Sequence, residues 1–297
     1  MYRTLYFRYN VQQKYAEALD LLYRGALVLL EHNQLVSGAD LAMLLVECLN
    51  NSRQPITSDN IDKVVSLFRK MDLDCPERHQ YLASAIKWTA KMDSNHKRGH
   101  PDLHQQFGAL FWQEKNYVQA RYHLIHSTDG KLCASMLIEY HITKGYPSEV
   151  DLFIAQAVLQ YLCLQNKATA SAAFTAYTQN HPAIQNGPPF VKPLLNFVWF
   201  LLIALESGKL AVFTILCEKY QTTLNRDPSY REYLDKIGQL WFGLPPPQNT
   251  QQGFFGNLLN SLFQGSGDES PSDDDSSVST AAAAMTPTKT ETQFDMD

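Results

Sequence analysis

The sequence predicts an all-α protein: an α-solenoid of irregular, tetratricopeptide-like helix pairs with minor or no β-structure. Three observations lead to this prediction. One segment matches the packing pattern of a helical repeat, five turns along the chain resemble one another, and apolar residues almost nowhere alternate with a period of two. A chain of 297 residues is long enough for one solenoid or for two domains.

The clearest helix pair lies in residues 103–127. The residues that carry its pattern are His104, Phe107, Gly108, Phe111, Tyr117, Ala120 and Leu124. Tetratricopeptide repeats place large and small residues at the same offsets, because two antiparallel helices lie close together only where a small residue faces a large one. Gly108 and Ala120 are therefore predicted contact points. A single pair cannot bury its apolar faces alone, so neighbouring helices are expected to stack on it.

Apolar residues at helical spacing predict further helices on both sides of this pair. In chain order the predicted helices span 1–10, 13–30 and 37–49, begin at 57 or 58 and at 75–76, and then span 131–140, 148–164, 167–177, 190–205 and 210–220, with a last helix after 227–228. Thr57 or Ser58 is expected to cap the fourth helix. Ser148 and Asp151 are expected to form a capping box.

Five turns share a polar pair, then a large residue, then a small residue three positions later. They are 12–18, 32–38, 114–120, 165–171 and 207–213. The fourth turn departs from the rule by placing Ala168 at the large position, and the fifth by placing Phe213 at the small position. The copies are not ~34 residues apart, as true tetratricopeptide repeats are, so the helix pairs are predicted to be uneven.

Charge and composition exclude several classes of function. Residues 1–243 carry 24 basic and 22 acidic side chains, whereas residues 244–297 carry one and eight. A nearly neutral body argues against nucleic-acid binding, which needs a clustered basic face. The five scattered cysteines indicate buried thiols in a reducing compartment. No signal peptide is predicted, and the longest apolar run, 194–205, is too short to cross a membrane. The protein is expected to be cytosolic.

No enzyme signature stands out. The nucleotide-binding and hydrolase motifs are absent, and neither a catalytic residue, a cofactor nor a metal ion is predicted. The histidines at 96, 100 and 104, and at 123 and 126, have helical spacing, but a metal site would need a third ligand on an unbroken helix. They are expected to be surface or packing histidines.

Two features suggest binding to other proteins. Asp40 and Glu47 are seven residues apart and share one helix face, which is either a solvated face or an acidic docking surface for a basic partner. Residues 254–263 place six large apolar side chains on one helical face. They form either a last helix that folds back on the solenoid or an amphipathic helix for a partner. The acidic residues 266–297 are predicted to be disordered.

Several short stretches resemble one known family. They are residues 2–5, 14–18, 38–41, 119–123, 187–191, 194–197, 233–238 and 256–259. Together they make the sequence similar to the Golgi to ER traffic protein 4 family, the cytosolic subunit of the transmembrane-domain recognition complex. The resemblance extends to about residue 265. Family members carry a further helix before residues 2–4, which this sequence does not contain.

The resemblance implies a non-enzymatic adaptor in the post-translational targeting of tail-anchored membrane proteins to the ER. In that family the N-terminal helices dock the targeting ATPase. The C-terminal helices hold a ubiquitin-like protein or a large BAG-family scaffold, which is thereby retained in the cytosol. Asp40 and Glu47 match positions on the ATPase-docking face. The implied organisation is an ATPase-facing half at 1–128, a partner-facing half at 129–243, a linker with an amphipathic segment at 244–265, and the tail.

A C-terminal groove with aromatic anchors is also predicted, from position and expected exposure rather than from the family. The anchors would be Phe190, Tyr230, Tyr233 and Trp241, because aromatic residues dominate interface energetics. The alternative is that these four belong to the solenoid core. Two rival functions stay open. A tetratricopeptide-type co-chaperone would grip C-terminal peptides in a basic groove, and a helical enzyme would have a closed pocket of titratable groups.

Overall fold

The computed structural model describes residues 1–53, 55–185 and 187–245. Fourteen α-helices and one short 3-10 helix follow one another in this part of the chain, and none of its residues is in a β-strand. The predicted all-α solenoid is confirmed. The amphipathic segment 254–263 and the acidic tail 266–297 lie outside the described residues. Within those residues no helix is long and apolar enough to cross a membrane.

The helix pair predicted in residues 103–127 forms the last two of the first seven helices. The seven are α1 (Tyr2–Val11), α2 (Tyr15–Glu31), α3 (Leu35–Asn51), α4 (Ser58–Lys70), α5 (Glu77–Met92), α6 (Pro101–Gln113) and α7 (Tyr117–Ile125). Thr57 is the N-cap of α4, where its hydroxyl accepts a hydrogen bond from the Asn60 amide. The small residue Gly108 faces Leu124 as predicted, since a Cβ at Gly108 would lie 2.7 Å from the Leu124 Cγ atom.

The second seven helices include the most apolar one, α11. They are α8 (Gly130–Lys144), α9 (Val150–Cys163), α10 (Lys167–Asn180), α11 (Pro193–Ser207), α12 (Leu210–Lys219), α13 (Gln221–Leu224) and α14 (Ser229–Phe242). A 3-10 turn, Pro147–Glu149, precedes α9.

Neighbouring helices stack in chain order. α2 lies against α3 and α4, α3 against α5, and α6 against α7. Further along, α8 and α9 both pack on α10, and α9 also contacts α11 and α14. One continuous apolar core runs from Tyr6 to Ile237. Each helix pair therefore buries its apolar face against its neighbours, as a solenoid requires.

All five predicted turns contain one residue in the left-handed backbone region. These residues are Gln13, Asn33, Lys115, Gln165 and Gly208, with φ between 57° and 62°. In the first four turns, the residue after the left-handed one donates its amide hydrogen to the carbonyl of the residue five positions before it, as Lys14 does to Tyr9. The N···O distances are 2.8 to 2.9 Å. This hydrogen bond and the left-handed residue before it define the Schellman helix end, so the turns are alike in structure as well as in sequence.

Two local predictions are wrong. In the fourth turn Asn166 is the N-cap of α10, as Asn116 is of α7, so Lys167 and not Ala168 takes the position of Tyr117. The predicted register is off by one residue. Ser148 and Asp151 do not form a capping box. The reciprocal hydrogen bonds at this point are made by Tyr146 and Glu149. Asp151 instead forms an ion pair with Arg226.

Candidate partner-binding surfaces

The acidic face predicted on α3 is exposed. Asp40 and Glu47 both lie on the outer side of the helix, while Ala39 and Leu41 face the core. The Asp40 carboxylate accepts a hydrogen bond from the Arg3 guanidinium of α1 at 2.6 Å, and half of its side-chain surface is open to solvent. The two acids therefore share a surface at the N-terminal end of the solenoid, where α1 crosses α3.

The two acidic side chains have different surroundings. Arg3 neutralises part of the charge of Asp40, and this pair is itself exposed. Glu47 lies near the buried hydroxyl of Tyr6, whose pKa is raised to about 12 by burial and, to a smaller extent, by the Glu47 charge. A cationic group from a partner could approach Glu47 directly, whereas at Asp40 it would compete with Arg3.

The four predicted aromatic anchors do not form one exposed groove. Phe190 and Tyr230 are buried, with 8% and 0% of their surface accessible, so the expectation that they are exposed is wrong. Phe190 packs edge-on against Phe174 of α10. The other three residues lie on α14, which packs against α9.

Phe190 is held in place by a local clamp. Its amide donates to the Asn196 side-chain oxygen, and its carbonyl accepts from the Asn196 side-chain nitrogen, each at 2.7 Å. This explains why a polar residue lies within the apolar run 194–205 of α11. The clamp fixes the connector 187–192 against α11 and turns the ring of Phe190 toward the core.

Tyr233 and Trp241 are half-buried and are tied to α9 by their polar atoms. The Gln160 side-chain amide donates to the Tyr233 hydroxyl at 3.1 Å, and the Trp241 indole N–H donates to the Leu162 carbonyl at 3.0 Å. The Arg121 guanidinium in turn donates to the Gln160 oxygen at 3.2 Å. A polar ladder thus joins α7, α9 and α14.

The sequence does not predict this ladder. Arg121 and Gln160 are 39 residues apart, and Gln160 and Tyr233 are 73 apart. Each is an ordinary polar residue in its own helix, and no neighbouring residue in the chain indicates that it has a partner in another helix. The stacking of α7, α9 and α14 brings the three together at the edge of the half-buried aromatic residues.

The predicted packing histidines form a buried pair instead of separate contacts. His104 of α6 and His123 of α7 join their Nδ1 atoms at 2.9 Å, and His104 Nε2 donates to the Arg98 carbonyl at 3.0 Å. In the neutral pair His123 must therefore donate to His104. Burial lowers the pKa of His104 to about 4 and that of His123 to about 3.

A second histidine pair joins α8 to the residue after α10. His181 Nδ1 accepts from the Ala183 amide, His181 Nε2 donates to His141 Nδ1 at 2.9 Å, and His141 Nε2 donates to the Tyr146 carbonyl. Burial lowers the pKa of His181 to about 4. Among the described residues, no group of three or more His, Cys, Asp or Glu side chains is arranged to hold a metal ion.

Two clefts bear on the rival functions. A groove beside the α6–α7 turn contains Lys115, Asn116 and Lys144, the residue types expected of a peptide-carboxylate clamp. The Lys115 ammonium, however, is already paired with Glu139 at 2.6 Å. A cleft of about 410 Å³ between α12 and α14 contains the Cys217 thiol, whose pKa is raised by burial. This opposes nucleophilic reactivity, which needs the thiolate.

Comparison with known proteins extends over almost the whole solenoid. The family model for Golgi to ER traffic protein 4 matches residues 12–263. The Golgi to ER traffic protein 4 homologues of Xenopus tropicalis and Homo sapiens are 54% and 52% identical over 275 and 278 residues. Each alignment covers 92% of this chain and 84% of the relative.

A solved structure shares the helical architecture. The crystal structure of C. therm. Get4 superposes with a TM-score of 0.76 at 28% sequence identity, and the match covers 88% of this chain and 87% of that one. Similarity of sequence and of three-dimensional structure thus runs through both halves of the solenoid. The chain belongs to the Golgi to ER traffic protein 4 family.

Proposed function

We propose that this protein is a non-enzymatic adaptor in the post-translational targeting of tail-anchored membrane proteins to the ER. It bridges the targeting ATPase to a complex that contains a ubiquitin-like protein or a BAG-family scaffold, and it retains that scaffold in the cytosol. The observation that carries this proposal is membership of a family named for Golgi to ER traffic, across residues 12–263. The adaptor itself needs neither a cofactor nor a membrane-spanning segment.

The stacked fold suits a bridge between two partners. The acidic face on α3 and the aromatic residues on α14 lie near opposite ends of the chain, and a continuous core connects them. Binding two partners at fixed positions raises their concentration relative to each other without new chemistry. We assign the ATPase-facing half to residues 1–128 and the scaffold-facing half to residues 129–243. Tyr233 and Trp241 lie at the rim of the second surface.

Asp40 and Glu47 are proposed to attract a basic surface of the ATPase. Both side chains of the Arg3–Asp40 pair are exposed, and exposed ion pairs contribute about 0–1 kcal/mol to the stability of the folded protein. A partner's cation can therefore replace Arg3 at little cost. Release of Arg3 would also allow α1 to adjust as the ATPase docks.

The test is the double variant Asp40→Lys with Glu47→Lys. We expect binding of the purified targeting ATPase to weaken by roughly tenfold or more at low ionic strength, because like charges now face each other. Binding of the scaffold should not change. Isothermal titration calorimetry measures both affinities, and circular dichroism verifies that the variant is folded.

A matched control makes the same change in net charge at two positions outside the α3 face. Asp59 and Asp74 are exposed, and Asp59 also forms a surface ion pair, with Lys63. The variant Asp59→Lys with Asp74→Lys should bind the ATPase with nearly wild-type affinity. Equal losses in the two double variants would mean that overall charge alone, and not the α3 face, attracts the ATPase.

A further inference from the structure

A cleft of about 500 Å³ lies where three loops of the solenoid meet. The loops connect α5 to α6, α7 to α8 and α9 to α10, so the cleft is at the boundary between the two halves of the chain. The described residues that form its wall include Lys97 and Arg98, and none of them is an aspartate or a glutamate. The cleft is therefore positively charged, although the whole chain has a net charge of -5.

Both cations of this basic cleft are available to a ligand. Lys97 and Arg98 are exposed, and within the described ranges of the chain neither forms an ion pair. The carboxylates on the neighbouring loops are already engaged, since Asp93 accepts a hydrogen bond from His96 at 2.6 Å and Asp129 caps α8. An arginine in this situation can donate two parallel hydrogen bonds to a carboxylate that a ligand supplies.

The loop that carries the two cations is held in a fixed conformation. The buried His104 donates from Nε2 to the Arg98 carbonyl at 3.0 Å, and the His100 amide donates to the Thr89 hydroxyl oxygen at 3.0 Å. Gly99 has φ of 113°, and a Cβ there would lie 2.8 Å from the His104 Nε2 atom. A ligand therefore binds without first having to order the loop, which lowers the entropic cost of binding.

His126 supports the guanidinium of Arg98 from the other side of the cleft. Its Nδ1 atom lies 2.8 Å from the Tyr122 carbonyl, which can only accept, so Nδ1 carries the proton and Nε2 is the acceptor. Arg98 Nη1 donates to this Nε2 atom at 3.5 Å. Burial lowers the pKa of His126, which keeps the ring neutral. Arg98 thus uses one N–H group, and its other N–H groups can donate to an anion.

A smaller and more apolar cleft adjoins the basic one. It has a volume of about 280 Å³, lies between α7, α8 and α9, and shares Ile125 and His126 with the basic cleft. Val118 and Tyr122 of α7 are part of its wall and are 68% and 51% exposed. Of the described residues that form this wall, Arg121 is the one that carries a charge, and it is a cation.

The two adjoining clefts favour one kind of ligand. A small inorganic anion would occupy only the basic cleft, and an apolar helix would contact only the side chains around Tyr122. An extended peptide that carries carboxylates next to a large apolar residue matches both clefts at once. Acidic motifs are commonly recognised by clustered cations, and an aromatic anchor beside them adds affinity.

We propose that the two clefts together bind an extended acidic peptide segment of a partner protein. The carboxylates of the peptide pair with Lys97 and Arg98, and a large apolar side chain enters the smaller cleft beside Tyr122. The described residues that form these clefts include none of the side chains assigned above to the ATPase or scaffold surfaces. The solenoid thus has a third binding surface, at the junction of its two halves.

Fluorescence anisotropy with the full-length protein tests the chemistry of the ligand. The probe is a labelled synthetic peptide in which one phenylalanine is flanked by glutamates. We expect it to bind at low ionic strength and to lose affinity as salt is added. The same peptide with lysines in place of the glutamates should not bind. No binding of the acidic peptide, or equal binding of both peptides, would overturn the proposal.

Competition with a nucleic acid separates carboxylates from phosphates. A single-stranded DNA that carries the same number of negative charges should displace the labelled peptide only at higher concentration than the unlabelled peptide does. Displacement by the DNA at lower concentration would assign the basic cleft to phosphates and overturn the proposal.

Two charge-reversed variants locate the binding site. Lys97→Glu with Arg98→Glu should weaken binding of the acidic peptide roughly tenfold or more, because like charges then face each other. The matched variant Arg69→Glu with Lys87→Glu also reverses one exposed arginine and one exposed lysine, outside both clefts, and should bind with nearly wild-type affinity. Equal losses in the two variants would show that net charge alone attracts the peptide, and would contradict the proposal.

The variant Tyr122→Ala tests the smaller cleft. It should weaken binding of the phenylalanine-containing peptide about fivefold or more, and it should not affect a peptide with alanine in place of the phenylalanine. Circular dichroism verifies that the variant is folded. Equal effects on the two peptides would show that the apolar side chain does not enter this cleft, and the proposed mode of binding would be wrong.

Discussion

At the scale of single residues, the ion pair between Asp151 and Arg226 shows what local patterns miss. Asp151 is completely buried, and its Oδ2 atom accepts a hydrogen bond from Arg226 at 2.6 Å. The guanidinium also donates to the Ser148 carbonyl. The spacing of Ser148 and Asp151 suggests a helix cap. Nothing near Asp151 in the chain indicates that its partner lies 75 residues away.

The variant Arg226→Met should be strongly destabilised. It retains much of the side-chain volume but leaves the Asp151 carboxylate buried without its cation, and such a change costs about 3 kcal/mol or more. Urea unfolding followed by circular dichroism measures the loss. Arg226→Lys keeps the charge and should lose less. If Arg226→Met is as stable as the wild type, the pair does not contribute to folding in solution.

At the scale of elements, the repeated turns explain why the helix ends could be placed from sequence. The polar pair before each new helix supplies a left-handed residue and an N-cap. Four of these turns nevertheless use Gln, Asn or Lys where glycine is the preferred residue. The predicted register of the fourth turn is off by one residue, because two polar residues in a row do not show which of them adopts positive φ.

Replacing Gln13 by glycine should stabilise the protein. Gln13 is exposed and has φ of 57°, a conformation that L-residues adopt at a cost which exceeds the entropy that glycine loses. We expect a gain of about 0.5–1 kcal/mol in the free energy of unfolding, measured by urea denaturation. The neighbouring change Gln12→Gly, at φ of −80°, should not stabilise. A gain in both variants would point to an effect unrelated to the left-handed turn.

At the scale of the whole molecule, the two histidine pairs make stability depend on pH. The pKa values of His104, His123 and His181 are lowered to about 4, 3 and 4. The unfolded chain, with a histidine pKa near 6.5, therefore binds more protons than the folded chain below that pH. Stability is complete above pH 6.5 and is lost as the pH falls toward 4.

Between pH 7 and pH 5 each of these histidines should remove about 2 kcal/mol from the free energy of unfolding. The carboxylates with lowered pKa, Asp93 and Glu139, act only below that range. Urea midpoints at pH 5, 6 and 7 measure the loss, and NMR titration of the imidazole signals identifies the groups. A midpoint that does not vary over this range would show that the pairs are accessible to protons in the folded protein.

The longer helices, most of their ends to within a few residues and the contact of small with large residues could be predicted from the sequence, because these depend on spacing within one or two turns. The short α13 and the 3-10 turn were not predicted. The sequence also located the acidic side chains on α3, since positions seven apart share a helix face. The burial of Phe190 and Tyr230, the pairing of histidines across helices and the contact of Arg226 with Asp151 become visible only in the folded chain. Burial and ion pairing depend on which helices stack together, and the paired residues, 19 to 75 positions apart, carry no sign of that contact in their own segments.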